Sequence, residues 1–287
     1  MIVWSWLGGQ TSIQRYHPGQ FTKTRIGQRP MSLVAITKTD HEHKGWARLT
    51  SYEFASKEAL AILVSSELPK ALMHLPIALM RFGDHFRPAA VLSFEPGRNL
   101  FVTKKGKWIG GYTPAAFRAY PFSLANTEDG QKILCMDEDS GLLVDSAQGE
   151  RFFDDEGNPT EATKQLLNFI QQVDIDRQRT EAMCATLEKH DLIEAWPINL
   201  KTDEGEKNIE GLFRINEKGL NELSDDAFLE VRQAGALALA YMQLLSMTHL
   251  PIIGKLYEAH AANDAQLKKL GDEIFQIPQS EELNFNF

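Results

Sequence analysis

Apolar residues recur at intervals of three and four positions in one long stretch of the second half of the chain. The pattern starts at Ala162 and continues to Leu187, which predicts a helix that ends near Lys189 and carries Cys184 on its apolar face. Asn158 is suited to cap this helix, because a proline follows it directly and an acid follows three residues later. The sequence therefore predicts a long helix over 159–189.

Two further helices are predicted from the same periodicity. The first covers 58–68, and the second begins at Ser224, an N-cap followed by two aspartates, and continues through Met247. Residues 233–254 contain no Asp, Glu, Lys or Arg, and such a run is nearly long enough to span a bilayer. Glutamine, serine, threonine, histidine and proline interrupt the run, so we expect a buried core helix and no integral membrane span.

Short apolar runs bounded by turn residues predict strands in the middle and later parts of the chain. Two pairs of runs are separated by polar turns of hairpin length, and a third pair frames the polar turn 202–207. The predicted strands cover 90–94, 99–103, 120–124, 132–136, 196–200 and 212–216. The middle third is therefore predicted to form an antiparallel β-meander, and the last pair a second hairpin.

Together these elements predict an α+β fold in one domain over residues 31–257, with the antiparallel sheet packed against helices at 159–189 and 224–248. Residues 258–287 are predicted to form a C-terminal tail. Residues 1–30 contain four basic residues and no acid, and they are expected to lie outside the fold. They are interpreted as a disordered leader or as sequence upstream of a start at Met31, with a targeting segment as the alternative.

Composition narrows the classes of function. The chain has 287 residues, a formal net charge of −9 and two cysteines. The negative charge disfavours nucleic acid and anionic membranes as partners. Two cysteines are too few for a disulfide framework or a four-ligand zinc site. With no secretory signal in the sequence, we expect a soluble cytoplasmic protein, and the oligomeric state stays open.

The sequence lacks the motifs of several common enzyme classes. It has no Gly-x-Ser-x-Gly elbow, no phosphate loop ending in Gly-Lys-Ser/Thr and no Gly-x-Gly-x-x-Gly after a strand. Gly106, Gly110 and Gly111 are therefore interpreted as turn glycines. Cys135 and Cys184 lie in apolar segments, where cysteine usually packs as a small hydrophobe.

Two segments carry side chains that can ligate metals. Asp40, His41 and His43 form a short cluster that can bind zinc or iron if a third ligand comes from elsewhere, and a solvated loop is the alternative. The stretch 137–156 is rich in carboxylates, but its spacing is not that of an EF-hand. It is predicted to be an acidic solvated loop that ends in a tight turn. No cofactor is predicted.

Five segments of the chain stand in an order that is known from one family. They read LSFEPGRNLF (92–101), GKWIGGYTPAAFR (106–118), YPFSL (120–124), FFDDEGNPT (152–160) and NIEGLFRINEKGL (208–220). This order resembles the bacterial SapC-like family, the surface-layer-related protein and not the peptide-transport permease of the same name. The last segment has one glycine, Gly219, beyond the family's pattern. The resemblance covers about residues 31–255.

The resemblance implies a role at or near the cell envelope. The functions that it implies are uptake linked to an outer-membrane receptor, or modification of a peptide or protein. It brings no catalytic residues with it. The sequence does not fit the peptide-transport permease, because it has no set of membrane-spanning helices.

Two hypotheses of function follow. The first is a soluble, non-catalytic accessory or binding protein, in which aromatic residues line a groove for a protein or peptide partner. Ordinary core packing is the alternative for these aromatic residues. The second hypothesis is an unrecognised metal-dependent enzyme built around His41 and His43. The candidate groove residues are Trp108, Tyr112, Phe117, Arg118 and Tyr120.

Overall fold

The computed structural model describes residues 32–126, 132–202 and 205–262, and it has the α+β fold that the sequence predicts. Neighbouring strands in its sheets are antiparallel. The predicted leader 1–30 lies outside the described residues, as does the predicted tail beyond residue 262.

The strands and helices are short apart from one helix. The strands are β1 (Leu33–Ala35), β2 (Lys44–Trp46), β3 (Leu60–Ile62), β4 (Ile77–Phe82), β5 (His85–Val91), β6 (Phe122–Asn126), β7 (Lys132–Asp137), β8 (Leu143–Asp145), β9 (Glu150–Arg151), β10 (Ile193–Ala195), β11 (Ile198–Thr202), β12 (Gly205–Ile209) and β13 (Phe213–Ile215). The helices are α1 (Lys38–His41), α2 (Leu68–Ala71), α3 (Ala115–Arg118), α4 (Glu161–Lys189), α5 (Glu217–Asn221), α6 (Asp225–Gln233) and α7 (Ala236–Ser246). Turns of 3₁₀ helix lie at Glu53–Ala55, Ser65–Glu67, Glu138–Ser140 and Met247–His249, and residues 251–262 are helical.

The central sheet has the strand order β10-β13-β4-β5-β3. β4 and β5 form a hairpin closed by two residues, and the first of these is Gly83, whose φ of +59° favours glycine. One face of the sheet packs against Met183 and Leu187 of α4 and against α7. The other face is covered by Trp196 and by Ile198 of the β11–β12 hairpin. The main core therefore lies between the central sheet and the helices.

A second core lies at the opposite end of α4. It is enclosed by the sheets β1-β7-β6 and β8-β2-β9. Phe122, Met136 and Phe152 pack there against Leu167 and Ile170 of α4. α4 has 29 residues, a length of about 43 Å at 1.5 Å per residue. One helix therefore contributes side chains to both cores.

The predicted end of α4 at Lys189 is confirmed, and its beginning differs by two residues. Thr160 caps the helix, because its Oγ1 accepts a hydrogen bond from the Thr163 N–H at 3.2 Å. Asn158 instead belongs to the tight turn before the helix, where its N–H donates to the Asp154 carboxylate at 2.8 Å. The Asp154 carboxylate thus holds the backbone of Asn158 in the turn, and the cap is supplied by the Thr160 hydroxyl, two residues later.

The helix predicted over 58–68 is wrong. Residues Leu60–Ile62 form β3, which pairs with β5, and helical structure starts only at the Ser65–Glu67 turn. The six consecutive apolar residues 59–64 suit a buried strand as well as a helix face. Pro69 lies in the first turn of α2. This proline therefore stands at the beginning of a helix, whereas the predicted helix was expected to end before it.

The segments expected to form one meander belong to different sheets. β5 lies in the central sheet, β6 and β7 pair with each other beside β1, and residues 99–103 contribute only a single bridge between Val102 and Trp108. The stretch 137–156 is not a loop throughout, because β8 and β9 flank β2. Its carboxylates pair with lysine and arginine on and beside β2, including Lys44–Asp145 at 2.8 Å.

The last predicted helical block is two helices. Ser224 caps α6 as predicted, through a hydrogen bond from the Ala227 N–H to its Oγ at 3.4 Å. The chain then turns at Gly235, whose φ of +74° is the left-handed conformation that ends α6 and starts α7 in a new direction.

Buried polar side chains attach the inner face of α7 to the central sheet. Gln243 accepts from the Ile215 N–H at 2.9 Å and donates to the Ile77 carbonyl at 3.0 Å, and Ser246 Oγ accepts from the Ile77 N–H at 3.1 Å. The outer face of α7 is open, with Leu245 60% exposed. These contacts fix α7 beside β4 and β13.

By length and composition alone, the helical stretch Ala236–Ala262 is the one candidate for a membrane span in the described part of the chain. Of its most apolar window, 33% is buried against the rest of the protein. The expectation of no integral span stays a prediction.

Gln243→Leu is expected to lower the free energy of unfolding by about 2–4 kcal/mol, because it leaves the Ile77 carbonyl and the Ile215 N–H buried without partners. Urea unfolding followed by circular dichroism measures the change. Gln233→Leu on the exposed side of α6 is the matched control. An equal loss in both variants would contradict the role of the Gln243 hydrogen bonds.

Candidate functional site

The five candidate groove residues lie together on one segment, which runs from Trp108 through α3 to Tyr120. The ring centroids of Trp108 and Phe117 are 5.7 Å apart. Trp108 also stacks on Phe101 at 5.6 Å, and Tyr120 stacks on Phe54 at 3.8 Å with nearly parallel rings. Phe117 is buried, and Trp108, Tyr112 and Tyr120 are half-buried, so Arg118 is the one exposed side chain among these five candidate residues.

A buried carboxylate that the sequence reasoning missed holds this surface in place. Glu67 is 5% exposed, and its Oε1 accepts hydrogen bonds from the Ala115 N–H at 2.5 Å and from the Tyr112 hydroxyl at 2.8 Å. Its Oε2 accepts from the Val64 N–H at 3.1 Å, which closes the turn to which Glu67 belongs. A single glutamate at the end of an apolar run has no sequence signal that separates it from a surface residue.

Burial raises the pKa of both partners in this contact. Desolvation raises the pKa of Glu67, although the hydrogen bonds from Ala115, Val64 and Tyr112 and the nearby Arg118 act in the opposite direction. Desolvation, followed by the charge of Glu67, raises the pKa of Tyr112 to about 12. Tyr112 is therefore a neutral phenol at physiological pH, and it acts as a hydrogen-bond donor to Glu67.

Arg118 is exposed over 44% of its side chain, yet several contacts hold its guanidinium. Nε donates to the Thr113 carbonyl at 3.1 Å, and Nη2 donates to the Tyr112 hydroxyl at 3.3 Å. The guanidinium carbon lies 5.0 Å from the centre of the Phe169 ring on α4, in cation–π geometry. Nη2 is 4.0 Å from Glu67 Oε1. Arg118 is thus a surface cation with a fixed position.

The two positions before Tyr112 have no room for a side chain, because the Trp108 and His74 rings lie against their backbone. A Cβ on Gly111 would lie 2.3 Å from His74 Nδ1, and a Cβ on Gly110 would lie 2.8 Å from the Trp108 ring. The Trp108 indole N–H donates to the Tyr112 carbonyl at 3.1 Å. Residues 109–114, which we call the Gly110 loop, are therefore packed tightly on one side and open on the other.

The two candidate metal ligands are not brought together with a third. His41 is buried at the end of α1, where its Nδ1 accepts from the Thr37 N–H at 3.3 Å and burial lowers its pKa. His43 is exposed. Among the described residues, no group of three or more His, Cys, Asp or Glu side chains is arranged to hold a metal ion. The metal site stays a prediction.

Both cysteines are buried, Cys184 in the main core and Cys135 on β7. Desolvation raises the pKa of Cys135 to about 11 and that of Cys184 to about 12. Both are therefore protonated thiols at physiological pH, and their packing agrees with the interpretation as small hydrophobic residues.

The fold and this segment define an α+β protein with a surface loop and an arginine that are fixed from beneath by a buried carboxylate. The chain belongs to the SapC family, whose family model matches residues 36–252. The resemblance noted in the sequence is thereby confirmed over most of the chain. No curated protein and no solved structure matches the chain.

The raised pKa of Glu67 predicts a pH-dependent contribution to stability. The folded state holds the proton more tightly than the unfolded chain, so this contribution is complete below the ordinary pKa of 4.5 and is lost as the pH rises through the raised value. Glu67→Gln has no such dependence. In urea unfolding, we expect the stability advantage of the wild type over this variant to decrease as the pH is raised above the ordinary pKa of 4.5.

Glu53→Gln, at an exposed position two elements before Glu67, is the matched control for this series. A difference between wild type and Glu67→Gln that stays constant over the same pH range would show that burial does not set the protonation of Glu67.

Proposed function

We propose that this SapC-family chain is a non-catalytic accessory protein that binds a protein or peptide partner through the Gly110 loop and α3. The observation that carries the proposal is Arg118, a half-exposed cation held by the Thr113 carbonyl, the Tyr112 hydroxyl and the Phe169 ring. Arginine and tyrosine are enriched at the centres of protein interfaces. Because Arg118 is already ordered, it loses little side-chain entropy when a partner binds there.

The protonation states on this surface also favour binding over catalysis. Tyr112 is a neutral donor, and Glu67 lies beneath the surface with its oxygens engaged by Val64, Tyr112 and Ala115. Neither group is placed as an exposed base or nucleophile. The competing hypothesis of a metal-dependent enzyme would require His41 to give up its contact with the Thr37 N–H or to ligate through Nε2.

The cellular role that we propose follows from the family. The binding would serve envelope or outer-membrane receptor-linked uptake, or the modification of a peptide or protein. We place the protein in the cytoplasm as a soluble chain without nucleic acid partners. The free, buried cysteines and the attachment of α7 to the central sheet support this placement.

Affinity capture with tagged full-length protein from its native cells tests the binding surface. We expect Arg118→Ala to reduce the yield of a specific partner by about tenfold or more, because hot-spot arginines commonly contribute that much. Quantitative mass spectrometry measures the yield. Circular dichroism confirms that the variant is folded.

Arg232→Ala supplies the matched control, since Arg232 is an exposed arginine at the far end of α6. We expect it to capture the partner as the wild type does. Partner yields that are the same for wild type, Arg118→Ala and Arg232→Ala would overturn the proposed surface.

A further inference from the structure

The backbone of the Gly110 loop presents donors without partners. In the part of the chain that the structure describes, the N–H groups of residues 110–113 donate no hydrogen bond. The N–H groups on either side do, from Ile109 to the Phe101 carbonyl at 2.9 Å and from Ala115 to Glu67. Four successive donors are therefore left for water or for a ligand.

The carbonyl groups of the same loop are occupied from the protein side. The Tyr112 carbonyl accepts from the Trp108 indole at 3.1 Å, and the Thr113 carbonyl accepts from Arg118 Nε at 3.1 Å. These two hydrogen bonds fix the loop through its carbonyl groups. They also place the guanidinium of Arg118 directly beside a run of unpaired N–H donors.

Successive backbone N–H groups beside an arginine are the donor set of an anion site. Glu67 Oε1 lies 4.0 Å from Arg118 Nη2, and its negative charge partly offsets the positive charge of the guanidinium. The site therefore favours an anion with a small negative charge. The guanidinium fork suits a carboxylate and a phosphate alike, but the single negative charge of a carboxylate is closer to the reduced positive charge at this position than that of a phosphate dianion is. The net charge of −9 further favours a ligand that carries few acidic groups.

We infer that the Gly110 loop and Arg118 form a receptor for the C-terminal carboxylate of a peptide or protein chain. A chain terminus brings one carboxylate without any acidic residue, and its capture by backbone N–H groups is a known mode of peptide recognition. The inference rests on the proposed binding function and names the chemical group that this surface recognises.

The experiment uses immobilised full-length protein and two random hexapeptide libraries, one with a free C-terminal carboxylate and one with a C-terminal amide. Peptides retained from the first library are identified by mass spectrometry and titrated by fluorescence anisotropy. We expect amidation of a selected peptide to weaken binding by about tenfold or more, because it removes the charge from the hydrogen bonds to Arg118. Arg118→Ala should cause a similar loss, and Arg232→Ala none.

Amide resonances of residues 110–113 provide a second readout in the folded protein. We expect the free-acid peptide to shift these resonances in a ¹⁵N-labelled sample and its amide to leave them in place. This measurement separates binding at the loop from a general loss of stability in Arg118→Ala.

Three outcomes would overturn the carboxylate inference. In the first, acids and amides bind equally and both require Arg118, which leaves the proposed binding surface intact. In the second, inorganic phosphate displaces the peptide more strongly than acetate at equal concentration. In the third, no retained peptide depends on Arg118, and the separate capture experiment then decides whether the surface binds a partner through other contacts.

Discussion

The candidate site depends on the buried carboxylate of Glu67. Its oxygens join the Ser65–Glu67 turn to the Gly110 loop through the Tyr112 hydroxyl and to α3 through the Ala115 N–H. The other side of the same turn is attached to α4, where Asp176 accepts from the Ser66 hydroxyl at 2.5 Å. The turn that carries the buried Glu67 side chain thus connects the longest helix to the surface loop. Buried charges of this kind persist only when their hydrogen bonds are satisfied, as they are here.

The middle of α4 carries polar side chains because it lies between the two cores. Its two ends pack apolar side chains, whereas its centre carries Asp174, Asp176 and Arg177 in contacts with the turn, with β7 and with one another. Polar contacts suit this position because neither core reaches it. The Ser65–Glu67 turn docks at this polar centre, so the candidate site lies beside the part of α4 that separates the two cores.

The parts of the fold that the sequence predicts are those determined by local pattern. The long apolar stripe places the end of α4 at Lys189, the Ser224 cap begins α6, and the segments 120–124 and 132–136 anticipate β6 and β7. The pattern fails at 58–68, where a short apolar run suits either type of element. The candidate site was predicted in part, because Tyr112 and Arg118 are conspicuous residues on one segment. Glu67 was not, since its partners are 45 and 48 residues away along the chain.

The two-core arrangement of α4 has a consequence for synthesis on the ribosome. Strands β1 to β9 emerge before α4, so Met136 and Phe152 have no helix to pack against until residues 161–189 have been made. At about 5–20 residues per second, this interval lasts on the order of seconds. The central sheet must wait longer still, for β13 and α7. The chain therefore carries exposed apolar surface during most of its translation, which is the circumstance in which nascent proteins recruit chaperones.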